Sequence, residues 1–492
     1  MVSAVLGLTA AGIAIRFSTL GLQSYHHDEV ITAARVLPGS FTHMLHEVRA
    51  SESTPPLYYA LAWGWAKLFG TGEAGLRSLS ALFGAATIPL AYLIGRELAG
   101  RRAGLIATAM VAVNPMLIWY SQEARAYSLL VLLTAASLFF FLRALRNARS
   151  TDIALWALFS ALALCSHYFA AFPVAIEAIW LLAVFRRDRE VVLAIAGVGA
   201  IGVLLAPLAL LQANPDHIGW ISSSPLVQRV ADTASSFMIG ETGKVIAEPP
   251  RNNYAIFPGA IFLAALFAAV AVQGRRGRAT LNPALIVGCG SILLAVGAAV
   301  AGSDYVIGRN LLPALVPLTA AAAVGLAAIR PARLGLLAAT ALCVYWLAFD
   351  AYVVAKPNLQ RPDFRDLAAK IGPSSRPRAV VAWKLAADPL SYYLADGTGH
   401  VWGGPQRVGE VDAIVKQSVA HRPLRLPPAF HQVERVREGR LTLLRYRAPR
   451  PHVVRFSRLK ALRTGFGVNV VLANEGSAAP LSASPPLGGP LR

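Results

Sequence analysis

The chain has 492 residues, of which 55% are hydrophobic and only 15% charged, with a mean hydropathy of +0.52 and a net charge of +20. In a soluble protein that charge would point to nucleic acid, but so much apolar residue and so little charge is the composition of membrane spans, which excludes a nucleic-acid partner. The cysteines Cys165, Cys289 and Cys343 all lie in apolar runs, so neither a disulfide framework nor a thiolate metal site is indicated.

Apolar runs long enough to cross a bilayer fall near residues 2–22, 76–95, 103–120, 127–142, 152–168, 171–185, 190–211, 255–273, 282–301, 310–329 and 334–354. The first is expected to be retained, because it lacks the basic start and small-residue cleavage site of a signal peptide. Arginines cluster between the spans at Arg96, Arg101 and Arg102; Arg143, Arg146 and Arg149; Arg186, Arg187 and Arg189; Arg275, Arg276 and Arg278; and Arg330 with Arg333. With eleven spans, all five clusters share one side, and the positive-inside rule makes that side cytoplasmic. The expectation is a multi-pass protein of the inner (plasma) membrane, in contact with its lipids, with a cytoplasmic N-terminus and an extracytoplasmic C-terminal domain.

The outer side then carries a loop at 21–75, a second at 212–254, a turn at 302–309 and everything after Lys356. Loops of that length are more often functional than connective. Within the first, residues 57–69 are apolar and rich in Trp and Tyr, follow Pro55 and Pro56, and predict an interfacial helix. Beyond Lys356 short alternating runs replace the long apolar ones. Residues 379–383 and 439–446 predict strands, and 363–371 and 388–395 short helices. The fold class expected is therefore mainly α, a polytopic membrane domain over 1–356, with a small extracytoplasmic α/β domain over 357–450. A tail follows over 451–492, largely disordered from about 474 on its Ser/Pro/Gly/Ala composition.

Candidate chemistry lies on the outer side. Tyr25-His26-His27-Asp28-Glu29 follows the first span, and adjacent carboxylates at a membrane face are costly unless solvated, paired or used. Neighbouring side chains of a helix or strand diverge, so one carboxylate can serve a site while the other meets a structural partner. A solvated loop start is the plainer alternative. Histidines beside carboxylates also suit a divalent cation, although His26 and His27 do not share a face. The turn Trp119–Tyr127 holds Glu123, Arg125 and Tyr127. A helical continuation would stack Glu123 and Tyr127 with Arg125 turned away, and the alternative is an aromatic belt with solvated charges. Arg309, after Asp304 and Tyr305, and Arg16, inside the first span, either snorkel or clamp a phosphate. His167, at the end of the fifth span, is a possible proton carrier. Tyr58, Tyr127 and Tyr305 are the aromatic candidates for lining a substrate. A carboxylate base, cations for a phosphate and aromatics for a ring are the parts needed to move a sugar from a phospholipid carrier to a hydroxyl.

The segments His27-Asp28-Glu29-Val30, Thr54-Pro55-Pro56-Leu57-Tyr58-Tyr59 and Tyr120-Ser121-Gln122-Glu123-Ala124-Arg125-Ala126-Tyr127 resemble those of GT-C membrane glycosyltransferases, specifically family 39 with the protein O-mannosyltransferases and lipid A aminoarabinose transferases. The resemblance covers about residues 1–210, and Thr54 stands where the family usually has His. It implies Asp28 as catalytic base with Glu29 in support, and Glu123 organising the acceptor or a metal; His27 and His167 are further candidates for that role from their places on the outer side. It further implies Arg125 or Arg309 at the donor phosphate, and Arg16 is a further candidate there from its place in the first span. The donor implied is a polyprenyl-phosphate sugar and the acceptor a glycan, lipid or protein hydroxyl. No cofactor is certain, and a divalent cation is possible. A transporter or flippase of a lipid-linked or small polar substrate is the alternative, but the ionisable residues crowd one face instead of the middle of the membrane.

Overall fold

The structure, a computed structural model, describes residues 2–213, 221–241, 253–275, 282–394, 399–400, 405–466 and 468–474. Arg276, Arg278, Ala395, parts of the second outer loop and the tail beyond 474 lie outside the described residues. The chain divides into two compact units, one of Met1–Leu20 with Gly39–Leu359 and one of Gly21–Pro38 with Gln360–Arg492.

The first unit is helical: α1 (Val2–Phe17), α2 (Phe41–Ser51), α3 (Leu57–Phe69), α4 (Glu73–Ala99), α5 (Arg101–Val113), α6 (Pro115–Ser121), α7 (Tyr127–Asn147), α8 (Ser150–Ser166), α9 (Ala171–Phe185), α10 (Arg189–Gln212), α11 (Leu226–Ile239), α12 (Asn253–Arg275), α13 (Pro283–Val300), α14 (Leu315–Ala328, entered by a 3-10 stretch from Gly308) and α15 (Ala332–Ala355). Among the described residues eight helices are long and apolar enough to span a membrane, and the pair α5 and α6, bent by 56°, makes a ninth. The shorter apolar helices α1 and α8 occupy the two remaining places expected, so the protein is a multi-pass membrane protein.

Side-chain caps mark where these helices begin. Asp188 accepts from Glu190 N (2.9 Å) ahead of α10, and Asn282 from Ala284 N (3.0 Å) ahead of α13. Gly100, at φ +87°, takes the left-handed turn that reverses α4 into α5. Helix α4 packs on α1, α5 and α7, while α14, buried continuously from Leu315 to Leu326, packs on α5, α12 and α13. Helix α3 follows the paired prolines as expected.

The second unit is α/β. It contains α16 (Phe364–Ile371), β1 (Arg378–Trp383), α17 (Lys384–Tyr393), β2 (Gly399–His400), β3 (Pro405–Lys416), β4 (His431–Glu438), β5 (Leu441–Arg455), α18 (Phe456–Lys460) and β6 (Asn469–Asn474). The sheet runs β2-β6-β1-β3-β5-β4, with β1 and β3 parallel and the other pairs antiparallel. Side chains alternate with the strand period of two. Val380, Ala382, Ile414 and Leu443 face α16 and α17, while Ala379, Val381, Ala413 and Leu444 face α18 and the loop at 417–430. Each fully buried Leu or Val of these two cores contributes about 1.5–3 kcal/mol.

Two expected boundaries move. Strand β5 runs through residue 450 and β6 pairs with β1, so the α/β unit continues to Asn474 instead of ending at 450. The composition of 451–474 hid this, because β6 is a short strand set apart by a Gly-rich loop. The boundary at 356 also omits Gly21–Pro38, which is fastened to this unit: Phe364 N donates to Ser24 Oγ (2.8 Å), and Tyr25 N to the Tyr393 hydroxyl (2.8 Å).

Candidate active site

The break between α5 and α6 follows from two residues. Asn114 caps α6 by accepting from Leu117 N (3.1 Å), and Pro115 has no N–H to return to the carbonyl of Val111. The bend therefore leaves the last carbonyls of α5 without helical partners in an apolar surround. Arg16, fully buried, supplies them, donating to Val111 O (3.0 Å), Ala112 O (2.8 Å), Gly12 O (3.2 Å) and Ser121 Oγ (3.1 Å). Gln122 adds bonds to Arg16 O (3.0 Å) and Thr19 Oγ1 (2.6 Å). Gly84 admits the assembly, since a Cβ there would sit 2.0 Å from Ser121 Oγ. The guanidinium of Arg16 is thus engaged by the protein itself at four acceptors.

Residues 122–126 form a non-helical turn between α6 and α7, so the expected stacking of Glu123 on Tyr127 is not the arrangement found. Arg125 is turned inward, against expectation, and meets the buried Glu52 through two contacts, Nη1 to Oε1 (2.8 Å) and Nη2 to Oε2 (2.7 Å). Its guanidinium also lies 5.8 Å from the centre of the Tyr59 ring. The Tyr59 hydroxyl lies 3.2 Å from Thr54 Oγ1, and the Tyr58 hydroxyl 3.1 Å from Ser80 Oγ. Gln212 closes the group, donating to Val48 O (2.8 Å) and Thr54 O (3.2 Å). A bidentate buried pair occupies a guanidinium strongly, so Arg125 braces the turn, and Tyr58 is wholly buried.

Beside this turn an aromatic row runs from Tyr120 through Tyr127 (ring centres 4.8 Å apart) to His167 (5.4 Å) and on to Phe169 (5.0 Å) and Tyr305 (5.7 Å). The Tyr120 hydroxyl donates to Glu241 Oε1 (3.0 Å), and Glu123 and Arg309 also act on Tyr120 electrostatically. His167 is buried and feels the positive charges of Arg125 and Arg309. Its Nδ1 accepts from Phe169 N (3.3 Å), which caps the 3-10 turn Tyr168–Ala170. Asp304 is held below the usual carboxylate range by Arg229, which grips it at 2.7 and 2.5 Å. Arg309, half-buried, acts electrostatically on both Tyr120 and His167.

In the second unit His27–Val30 forms one helical turn continued by a π-helical stretch, Ile31–Val36. Glu29 is fully buried, accepting from His26 N (3.2 Å) and lying 3.4 Å from Arg361 Nη1. Asp28 leaves the other side of the turn and is half-buried. His27 Nδ1 lies 2.9 Å from the Asp388 carboxylate. His26 is pushed down to about 4 by burial, then by Arg361. Among the described residues, no group of three or more His, Cys, Asp or Glu side chains is placed to hold a metal ion.

The structure is similar to that of ArnT from Cupriavidus metallidurans bound to undecaprenyl phosphate, with a TM-score of 0.54 and 14% identity over 90% of this chain and 97% of that one. The fold is that of the GT-C membrane glycosyltransferases. The same protein in the apo state gives a TM-score of 0.53 at 14% identity and the same coverage. The arabinofuranosyltransferase AftD from Mycobacteria gives 0.48 at 16% identity, over 90% of this chain and 40% of that one. Residues 53–210 match the dolichyl-phosphate-mannose-protein mannosyltransferase family. No curated protein matches.

Glu52, Gln212, Arg229 and Glu241 are partners of the candidate residues and their neighbours that sequence reasoning missed. Glu52 lies two residues before Thr54-Pro55-Pro56, so a buried partner for Arg125 was within reach of the motif. Glu241 and Arg229 lie in the second outer loop, whose length alone drew notice.

Proposed function

We propose that this protein transfers a sugar from a polyprenyl-phosphate donor to a hydroxyl acceptor on the extracytoplasmic face of the inner membrane, its N-terminus cytoplasmic. The observation that carries the reading is the likeness, along nearly the whole of both chains, to ArnT bound to undecaprenyl phosphate. Asp28 takes the acceptor proton as the acceptor oxygen bonds to the anomeric carbon, and the bond from that carbon to the phosphate breaks. Polyprenyl phosphate leaves with the electron pair. Glu29, engaged by His26 and Arg361, fixes the backbone turn that presents Asp28.

The test incubates the purified protein in lipid with a panel of polyprenyl-phosphate sugars, with and without chelator. Loss of one donor with stoichiometric release of polyprenyl phosphate is expected, and the chelator arm reports any dependence on a divalent cation. If the protein consumes no donor with glycan, lipid or protein acceptors, the reading is wrong.

A further inference from the structure

The basic excess of the chain is not spread evenly. Residues 357–474 hold 20 Lys and Arg against 8 Asp and Glu, and this stretch is too long for the positive-inside rule to explain its charge. Within the α/β unit the charge is also one-sided. The layer covering the core of Ala379, Val381, Ala413 and Leu444 consists of the loop at 417–430, which turns Phe430 inward, and of α18 with the residues after it, which turn Phe456, Leu459 and Leu462 inward. This layer exposes Arg422, Arg425, Arg458, Lys460 and Arg463 and contains no carboxylate. The register of β4 on β5 sets Arg435 opposite Leu444 and Arg437 opposite Thr442, so both share that face and both are exposed. Among the described residues, none of these seven cations enters an ion pair with a carboxylate. The opposite layer, α16 and α17, mixes its signs with Asp366, Lys370, Lys384 and Asp388.

We infer that the face formed by residues 417–430, β4 and α18 docks an acidic polysaccharide, a chain of sugars bearing repeated carboxylate or phosphate groups. An array of unpaired guanidinium groups without intervening acid raises the local concentration of a polyanion. Two other anionic partners fit less well. A bilayer-binding surface interleaves cations with exposed Trp, Phe or Leu; here residues 417–430 and α18 carry no exposed large hydrophobic residue among those described, and β4 adds Val433, which is none of the three types. A protein already anchored by its spans also gains no anchoring from such a face. Single-stranded nucleic acid calls for aromatic platforms, and Phe430 and Phe456 are buried here. That the polymer brings the acceptor hydroxyl rests on the transferase reading, whereas the docking itself does not.

The test uses the full chain in discs of zwitterionic lipid, without donor, and measures binding of polygalacturonate and of neutral dextran of equal length against salt. Polygalacturonate is expected to bind with an affinity that falls steeply with salt, and dextran not at all. Replacing Arg422, Arg425, Arg458, Lys460 and Arg463 with Gln should weaken binding by at least about tenfold, and the control Arg186, Arg187 and Arg189 to Gln should leave it unchanged. Should the fivefold variant melt early, Arg435→Gln with Arg437→Gln decides the matter with a loss of about threefold. Equal losses in the control, equal binding of dextran, or abolition of polymer binding when anionic lipid replaces part of the disc would each overturn the proposal. Because no donor is present, a negative result leaves the transfer reaction itself untouched.

Discussion

The turn at 122–126 and the turn at 27–30 each carry acid beside aromatic or cationic groups, yet they treat their charges differently. In the first, Arg125 and Glu52 are both buried and grip each other through two short contacts. In the second, Glu29 is buried against Arg361 while its neighbour Asp28 stays half-buried on the other side of the turn. A charge with its partner fixed shapes the backbone, and a charge held up by an ordered neighbour but still reachable by solvent can exchange a proton. The difference separates positioning residues from the candidate base, a distinction that residue type alone does not make.

The largest effect should come from the reachable carboxylate. Asp28→Asn is expected to lower turnover by about 10²–10⁴-fold, the usual contribution of a general base, with the melting midpoint unchanged. Donor consumption by the variant near the wild-type rate would end the contrast between the two turns. The buried pair should respond in stability instead. Glu52→Ala leaves the Arg125 charge buried without its main partner and should cost about 3–5 kcal/mol, seen as a lower melting midpoint. Adding Arg125→Met to it should restore much of that loss, since the remaining charge is then removed. A double variant no more stable than the single would mean that the pair is not the unit described.

Arg16 tests the same idea inside the membrane-spanning unit. Arg16→Met strands the carbonyls of Val111 and Ala112 at the helix break, and an unsatisfied buried polar group costs about 1–3 kcal/mol. A fall in stability is expected with the affinity for donor unchanged. A selective rise in KM for the donor would return Arg16 to the phosphate.

These contrasts also show what the sequence made legible. Spans, the helix after Pro55-Pro56 and the strands at 379–383 and 439–446 follow from local periodicity and proline geometry, which the chain carries in each short window. The divergence of Asp28 and Glu29 was likewise readable, because neighbouring side chains part on any regular backbone. The partners were not. Glu52 is 73 residues from Arg125, and Arg16 is 96 residues from the Ala112 carbonyl, so no window contains both ends of either contact. Hence the arginines nearest the motifs read as phosphate ligands when two of the three close internal gaps. Strand β6 escaped for a related reason, as its place in the sheet depends on pairing with β1, about 90 residues earlier.

The smallest effects should come from titration and from a single hydroxyl. His26 stays neutral in the folded protein down to about pH 4, whereas the unfolded chain takes up its proton near the ordinary value of 6.5. The stability it preserves is therefore complete above about pH 6.5 and is lost as pH falls from there towards 4. The melting midpoint should drop across that window, and His26→Gln should flatten the drop; an unchanged slope in the variant would assign it to other groups. Thr54→Val removes one side of the contact with the Tyr59 hydroxyl and should cost about 1 kcal/mol. Because Thr54 occupies the position where relatives usually carry His, the variant also asks whether that position does chemistry in this chain. A small loss of stability with turnover preserved would place Thr54 with Glu52 and Arg125, among residues that hold the turn. A loss of turnover larger than the loss of stability would move it to the side of Asp28.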